Sequence, residues 1–130
     1  GYTGRLIVEE AVRLGLRPVL SGRNPEAVRS LAAPFGLEAR PASLDDPRAL
    51  DAALAGAHAV LHCAGPFHRM AQPVLEACLR NRVHYLDITG EIAVFERMAA
   101  SDVAAKAAGI TLLPGVGFDV VPSDCLAAHL

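Results

Sequence analysis

Gly1 and Gly4 flank Tyr2-Thr3 directly before an amphipathic stretch that begins at Arg5. Glycines spaced this way at a helix start suit anion binding. The helix dipole and the unpaired N–H groups of the first turn attract negative charge, and a residue without a side chain lets a phosphate come close to the backbone. Gly4 would allow the helix to pack tightly on a sheet. About twenty residues further on, a dinucleotide-binding unit chooses between cofactors: an acid there binds a ribose 2′-hydroxyl, and an arginine favours a 2′-phosphate. This chain has Gly22-Arg23-Asn24 and no acid. The planar donor fork of Arg23 can clamp a phosphate. Otherwise Arg23 is a solvated surface residue and Asn24 only a helix cap.

Further candidates follow in order. Ser43-Leu44-Asp45 would lie beside an adenine, where Asp45 either accepts from the amino group or caps a helix. Ala64-Gly65-Pro66-Phe67 is small and proline-fixed, as needed where a dinucleotide crosses the end of a sheet. Cys63 precedes it without a base at short range, which favours a packed strand cysteine over a nucleophile. In His84 to Glu91, the polar residues Tyr85, Asp87 and Glu91 either face a ligand or form a network that fixes the loop. Asp119, Ser123 and Asp124 pose the same choice. No catalytic residue can be assigned.

The elements that must position these residues alternate. Helices are expected over Arg5–Leu14, Pro25 to about Ala33, from a cap at Asp45 or Asp46 to Gly56, about Met70–Arg80, Ile92–Ala108, and from Ser123 or Asp124 onward. Strands are expected over Pro18–Ser21, Glu38–Ser43, Ala57–Cys63, Val83–Ile88 and Ile110–Leu113. The strand at Glu38–Ser43 contains Pro41 and should lie at an edge. Ala57–Cys63 is apolar enough for burial on both faces. Such alternation predicts an α/β fold with a doubly wound parallel sheet. Ile7, Val8, Ala11, Val12 and Leu14 should form the inner face of the first helix.

Composition narrows the function classes. The chain has 130 residues, 52% of them hydrophobic, and a net charge of −2 with signs interspersed. No charge run suggests a nucleic-acid partner, and no stretch approaches the roughly 18 apolar residues of a membrane span. Cys63, Cys78 and Cys125 form no C-x-x-C pair and each sits among apolar neighbours, which points to buried reduced thiols in a cytoplasmic protein. The five histidines lack metal-ligand spacing, so no metal is expected. No G-x-S-x-G elbow supports a serine hydrolase. Tyr85 lacks the lysine of a Y-x-x-x-K pair, Thr89 standing there instead, which speaks against ordinary short-chain dehydrogenases and nucleotide-sugar epimerases.

GYTGRLIVEEA, LSGRN, LHCAGPF, HYLDITGE and LPGVGFDVVPSDCLA together resemble the N-terminal NADP-binding domain of saccharopine dehydrogenase-like oxidoreductases, nearest to the trans-acting enoyl reductase branch. The likeness covers essentially the whole chain. It implies a Rossmann-like sheet, NADP(H) as cofactor, a small-molecule substrate and hydride transfer to or from a C=C or C=N bond. It carries cofactor contacts onto Gly1, Tyr2, Thr3, Gly4, Arg23, Asn24, Ala64, Gly65, Pro66 and Phe67. In that family the loop reads G-A-T-G-Y-T-G after a first strand. Gly1 and Gly4 match its last two glycines, so residues 1–130 are expected to form a partial NAD(P)-binding domain lacking its first strand. That strand would be central in a 3-2-1-4-5-6 order. A substrate domain is expected beyond the C-terminus, and the piece alone is expected to fold weakly and be inactive. A homodimer is compatible with this reading. A non-catalytic NADP sensor is the alternative.

Overall fold

A computed structural model describes residues 1–118 and 120–129, so the expectation for Asp119 lies outside the described residues. The chain forms two compact units, residues 1–55 and 56–130.

In the first unit, α1 spans Tyr2–Arg13, α2 Pro25–Ala32 and α3 Pro47–Leu54. Local chemistry explains the last two. The Asn24 side chain accepts from the Ala27 N–H at 3.1 Å, and the Asp46 side chain accepts from Arg48 and Ala49 at 3.0 and 3.1 Å. A proline occupies the first helical position in both. A 3-10 turn, Ala33–Phe35, extends α2, and Gly36 closes it in the left-handed region. Val8, Leu20, Val28 and Ala32 form the buried core, packed by Leu31, Phe35, Leu37 and Ala39.

Three expectations change in this unit. The helix begins at Tyr2 rather than Arg5, so Tyr2, Thr3 and Gly4 are its first turn. Of its expected inner face only Val8 is buried, and Leu14 is 61% exposed. Leu6, Ile7, Ala11, Leu14 and Leu16 instead line a shallow groove of about 350 Å³, because the small core beside α1 covers little of the helix. The strands expected at Pro18–Ser21 and Glu38–Ser43 shrink to a parallel bridge, Leu20 to Ala39. Its hydrogen bonds run from Leu20 N to Glu38 O, Arg40 N to Leu20 O and Ala42 N to Gly22 O. Arg40 and Ala42 face this partner and Pro41 between them faces away, so the proline leaves no donor on the outer edge.

In the second unit, β1 (Ala59–His62), β2 (His84–Asp87) and β3 (Leu112–Leu113) form a parallel sheet in the order β1-β2-β3. His62 stands opposite Asp87, Val60 opposite Tyr85, and Tyr85 opposite Leu112. The helices are α4 (Phe67–Asn81), α5 (Ile92–Ala100), α6 (Asp102–Ala108) and α7 (Val121–His129). Ala71, Val74, Leu75 and Cys78 recur at helical spacing on α4 and are buried. Among them and around them pack Tyr85, Val94, Met98 and Ala105.

Here too the structure corrects the sequence. β1 is not buried on both faces: Leu61 is 39% exposed, since β1 is an edge of this sheet and pairs only with β2 among the described residues. The single helix expected over Ile92–Ala108 breaks at Ser101, whose hydroxyl donates to the Arg97 carbonyl at 2.9 Å and offers an alternative to the helical ladder. The last helix starts at Val121, so Ser123 and Asp124 lie in its first turn rather than capping it. Because α7 is exposed along its described length, Cys125 is exposed, whereas Cys78 is buried. No described helix is long and apolar enough to cross a membrane.

Candidate functional site

The N-terminus of α1 carries no acceptor of its own: its cap residue Gly1 has no side chain, and the first turn holds no acidic residue. The first-turn N–H groups of an α-helix have no partner within the helix, so this end offers donors and a dipole to an anion. Also in the first unit, Arg23 is exposed and its guanidinium has no hydrogen bond or ion pair among the described residues. Asn24 is the helix cap. A Cβ on Gly22 would sit 3.1 Å from a Val28 methyl, so the glycine also serves close packing. Asp46 takes the capping role on α3, which leaves the exposed Asp45 carboxylate outside that cap; the Asp45 N–H donates to the Ser43 hydroxyl at 3.3 Å.

The N-terminus of α4 is closed. Pro66 caps it without a side-chain bond of its own. Glu91, from the loop after β2, reaches across. Its Oε1 accepts from the Phe67 N–H at 2.8 Å, and its Oε2 accepts from the His68 N–H at 2.7 Å and lies 2.8 Å from His68 Nδ1. The Glu91 N–H is itself held by the Thr89 hydroxyl at 3.0 Å, and Arg97 donates to the His68 carbonyl at 3.2 Å. Partial burial pushes the Glu91 carboxyl up, but the two backbone donors and His68 outweigh it and hold the group below the usual glutamate value. This remote cap explains why α4 starts at Phe67, three residues before the expected Met70. Ala64, Gly65 and Pro66 are exposed beside it, Phe67 is half-buried, and the Gly65–Pro66 peptide is cis.

Behind this loop lies a buried polar cluster. Tyr85 and Asp87 are both 0% exposed, and the Tyr85 hydroxyl donates to Asp87 Oδ2 at 2.6 Å. Asp87 Oδ1 accepts from the N–H groups of Thr89 and Gly115 at 3.0 and 2.9 Å, and its carbonyl accepts from Val116 at 2.8 Å. Burial first, and the adjacent Asp87 carboxylate second, push the Tyr85 phenol far up. Of the two roles left open for Tyr85, Asp87 and Glu91, the structure therefore gives them the network that fixes loops. Cys63 bonds weakly to the Leu61 carbonyl at 3.7 Å, and burial pushes its thiol up, the opposite of nucleophile activation.

Sequence reasoning missed His62. It is 6% exposed, packs edge-on against Phe67 with ring centres 5.3 Å apart, and its Nε2 has no hydrogen-bond partner among the described residues. Burial pushes its imidazole down, opposed by the nearby Asp87. The available signal was register: His62, Tyr85 and Asp87 are polar residues at alternating strand positions and pack on one face.

Comparison with known proteins accords with this geometry. The chain is 31% identical, over 95% of its length, to a saccharopine dehydrogenase-like oxidoreductase of Arabidopsis thaliana, and spans 31% of that protein. It is 33% identical, again over 95% of its length, to the trans-acting enoyl reductase of Mycobacterium leprae and spans 32% of it. The chain thus covers about a third of the curated relatives it matches. The solved L-Glu-forming saccharopine dehydrogenase of Saccharomyces cerevisiae superposes with a TM-score of 0.82 at 21% identity, over 99% of this chain and 28% of that one, a likeness of fold. Residues 1–113 match the model of the saccharopine dehydrogenase NADP-binding domain; the chain belongs to that family, and NADP(H) is the cofactor of the domain.

Proposed function

We propose that this chain is the NADP-binding portion of an oxidoreductase that transfers a hydride between NADPH and a C=C or C=N bond. The observation that carries the reading is the match of residues 1–113 to the NADP-binding domain, in a unit where α1 follows a glycine, has no acid in its first turn, and is accompanied by the exposed Arg23. The first-turn donors of Gly1, Tyr2, Thr3 and Gly4 would hold the pyrophosphate. Arg23 would hold the 2′-phosphate, with Asn24 fixing the start of the next helix. Asp45 would accept from the adenine amino group. Ala64, Gly65, Pro66 and Phe67 would border the uncharged nicotinamide half, since Glu91 already fills the anion-binding end of α4. The cofactor supplies the hydride, and the chain's residues bind and orient it.

The substrate would be a small molecule taken up by a further domain outside residues 1–130, and a homodimer would be the assembly. We place the protein in the cytoplasm, a reading supported by its thiol composition and tested by fractionation; the Arabidopsis thaliana relative carries the word mitochondrial in its name. The cofactor assignment is tested by Arg23→Ala in the full-length protein. NADPH binding should weaken by about 1.5–3 kcal/mol, the worth of a charged hydrogen bond, while NADH binding changes little. Equal loss for both cofactors would remove Arg23 from the 2′-phosphate site.

A further inference from the structure

Glu91 does more than terminate a loop. Among the described residues it is the side-chain acceptor seated on the first amides of α4, and it spans 24 residues to reach Phe67 and 23 to reach His68. Its own backbone is pinned by Thr89, and Thr89 is pinned by the fully buried Asp87. A chain of hydrogen bonds thus runs from the sheet, through Asp87, Thr89 and Glu91, to the first two amides of α4. The exposed Ala64-Gly65-Pro66 segment has no side-chain hydrogen bond of its own among the described residues. Its conformation therefore depends on where Phe67 is held.

We propose that Glu91 is a positioning residue for the ligand-facing loop: by acting as the internal anion of α4, it sets Gly65-Pro66-Phe67 and thereby the uncharged half of the cofactor. The last clause rests on the cofactor reading above; the first does not. The carboxylate is suited to the task. It accepts from two backbone donors and one imidazole at once, and charge-assisted bonds to backbone amides are stronger than neutral ones. Its side chain is 35% exposed, so removing it exposes the freed amides to water rather than burying them unpaired.

The test uses the full-length protein and two readouts. The first is amide hydrogen exchange over residues 65–70 without ligand, in the natural protein, E91A and E91Q. Exchange there should accelerate about tenfold in E91A and less in E91Q, which keeps the shape and one acceptor; if E91A does not fold, E91Q alone is compared. The second is the affinity for NADPH set against adenosine 2′,5′-bisphosphate, which lacks the nicotinamide half. E91A should weaken NADPH about tenfold, the equivalent of one lost hydrogen-bonded contact, and leave the bisphosphate within about twofold. Unchanged exchange overturns the role of Glu91 whatever the ligands do. Accelerated exchange with equal loss of both ligands shows a general structural role and overturns the link to the nicotinamide half. A natural protein that binds neither ligand overturns the cofactor reading and, with it, that link, while the exchange data still decide whether Glu91 sets the loop.

Discussion

The starts of α1 and α4 pose one electrostatic problem and solve it in opposite ways. Both helices expose unpaired N–H groups and the positive end of a dipole. At α4 the protein answers with its own Glu91 carboxylate, seated on the Phe67 and His68 amides. At α1 the described residues supply no carboxylate: the cap is a glycine and the first turn has no acid. A folded chain gains stability from a capped helix, and a glycine cap forgoes about a few tenths of a kcal/mol relative to Ser, Thr, Asn or Asp. An external anion can recover it. The difference teaches that a helix end kept for an external anion would be marked by what is left out, and a loop-holding end by what is put in.

The sharpest way to break the comparison is to give α1 the solution used at α4. In Gly1→Asp the new carboxylate would cap the first-turn amides and repel a phosphate. We expect NADPH binding by the full-length protein to fall by at least about 2 kcal/mol, while thermal stability rises by up to about 1 kcal/mol. Calorimetric titration and thermal melting measure the two effects together. Affinity that survives with a capped helix would mean that the phosphates do not sit on α1.

The second way attacks the support behind α4. Gly115 has φ +74°, and a Cβ there would lie 2.5 and 2.8 Å from the Phe95 ring. Its N–H also feeds Asp87, the base of the chain that ends at Glu91. Gly115→Ala combines backbone strain with overpacking and should cost about 2–3 kcal/mol in stability, read from chemical denaturation. Gly90→Ala lacks both defects, and a matching loss there would show that the φ and the contact at Gly115 do not decide the outcome.

How much of this was legible depends on how far each cause travels along the chain. Asn24-Pro25 and Asp46-Pro47 announce their helices because cap and first turn are adjacent. The parallel sheet followed from the alternation of strands and helices, and the β1-β2-β3 order from the 3-2-1-4-5-6 arrangement of the expected Rossmann-like fold. The start of α4 was misread because its cap comes from Glu91, remote in sequence. The Ser101 break turns on whether one hydroxyl back-bonds to Arg97, which composition does not settle. Residues 18–21 and 38–43 look like strands by pattern, yet they pair only as the Leu20–Ala39 bridge, and Pro41 offers no donor to a further neighbour on its outer edge. The glycines and Arg23 could be proposed from sequence because their expected roles depend on residue type and spacing alone. His62 was not, because its place opposite Asp87 exists only once β1 and β2 pair in register.

Acid should separate the two helix starts by the smallest of these effects. The Glu91 carboxyl titrates below the usual glutamate value of 4.5 in the folded chain. Its folded form is thus favoured while ionised: the stabilisation is complete above the unfolded value and disappears as pH falls through the lower, folded one. As pH falls through that lower folded value, protonation leaves the α4 amides with a weaker, neutral acceptor, and exchange at Phe67 and His68 should rise relative to its normal pH trend. The first turn of α1 has no acid to titrate, so its amides should follow that trend unchanged. Exchange in the natural protein between pH 3 and 6 checks this, with E91Q as the control in which the α4 response is already absent. An α1 response equal to that of α4 would show that general acid unfolding, not Glu91, governs both ends.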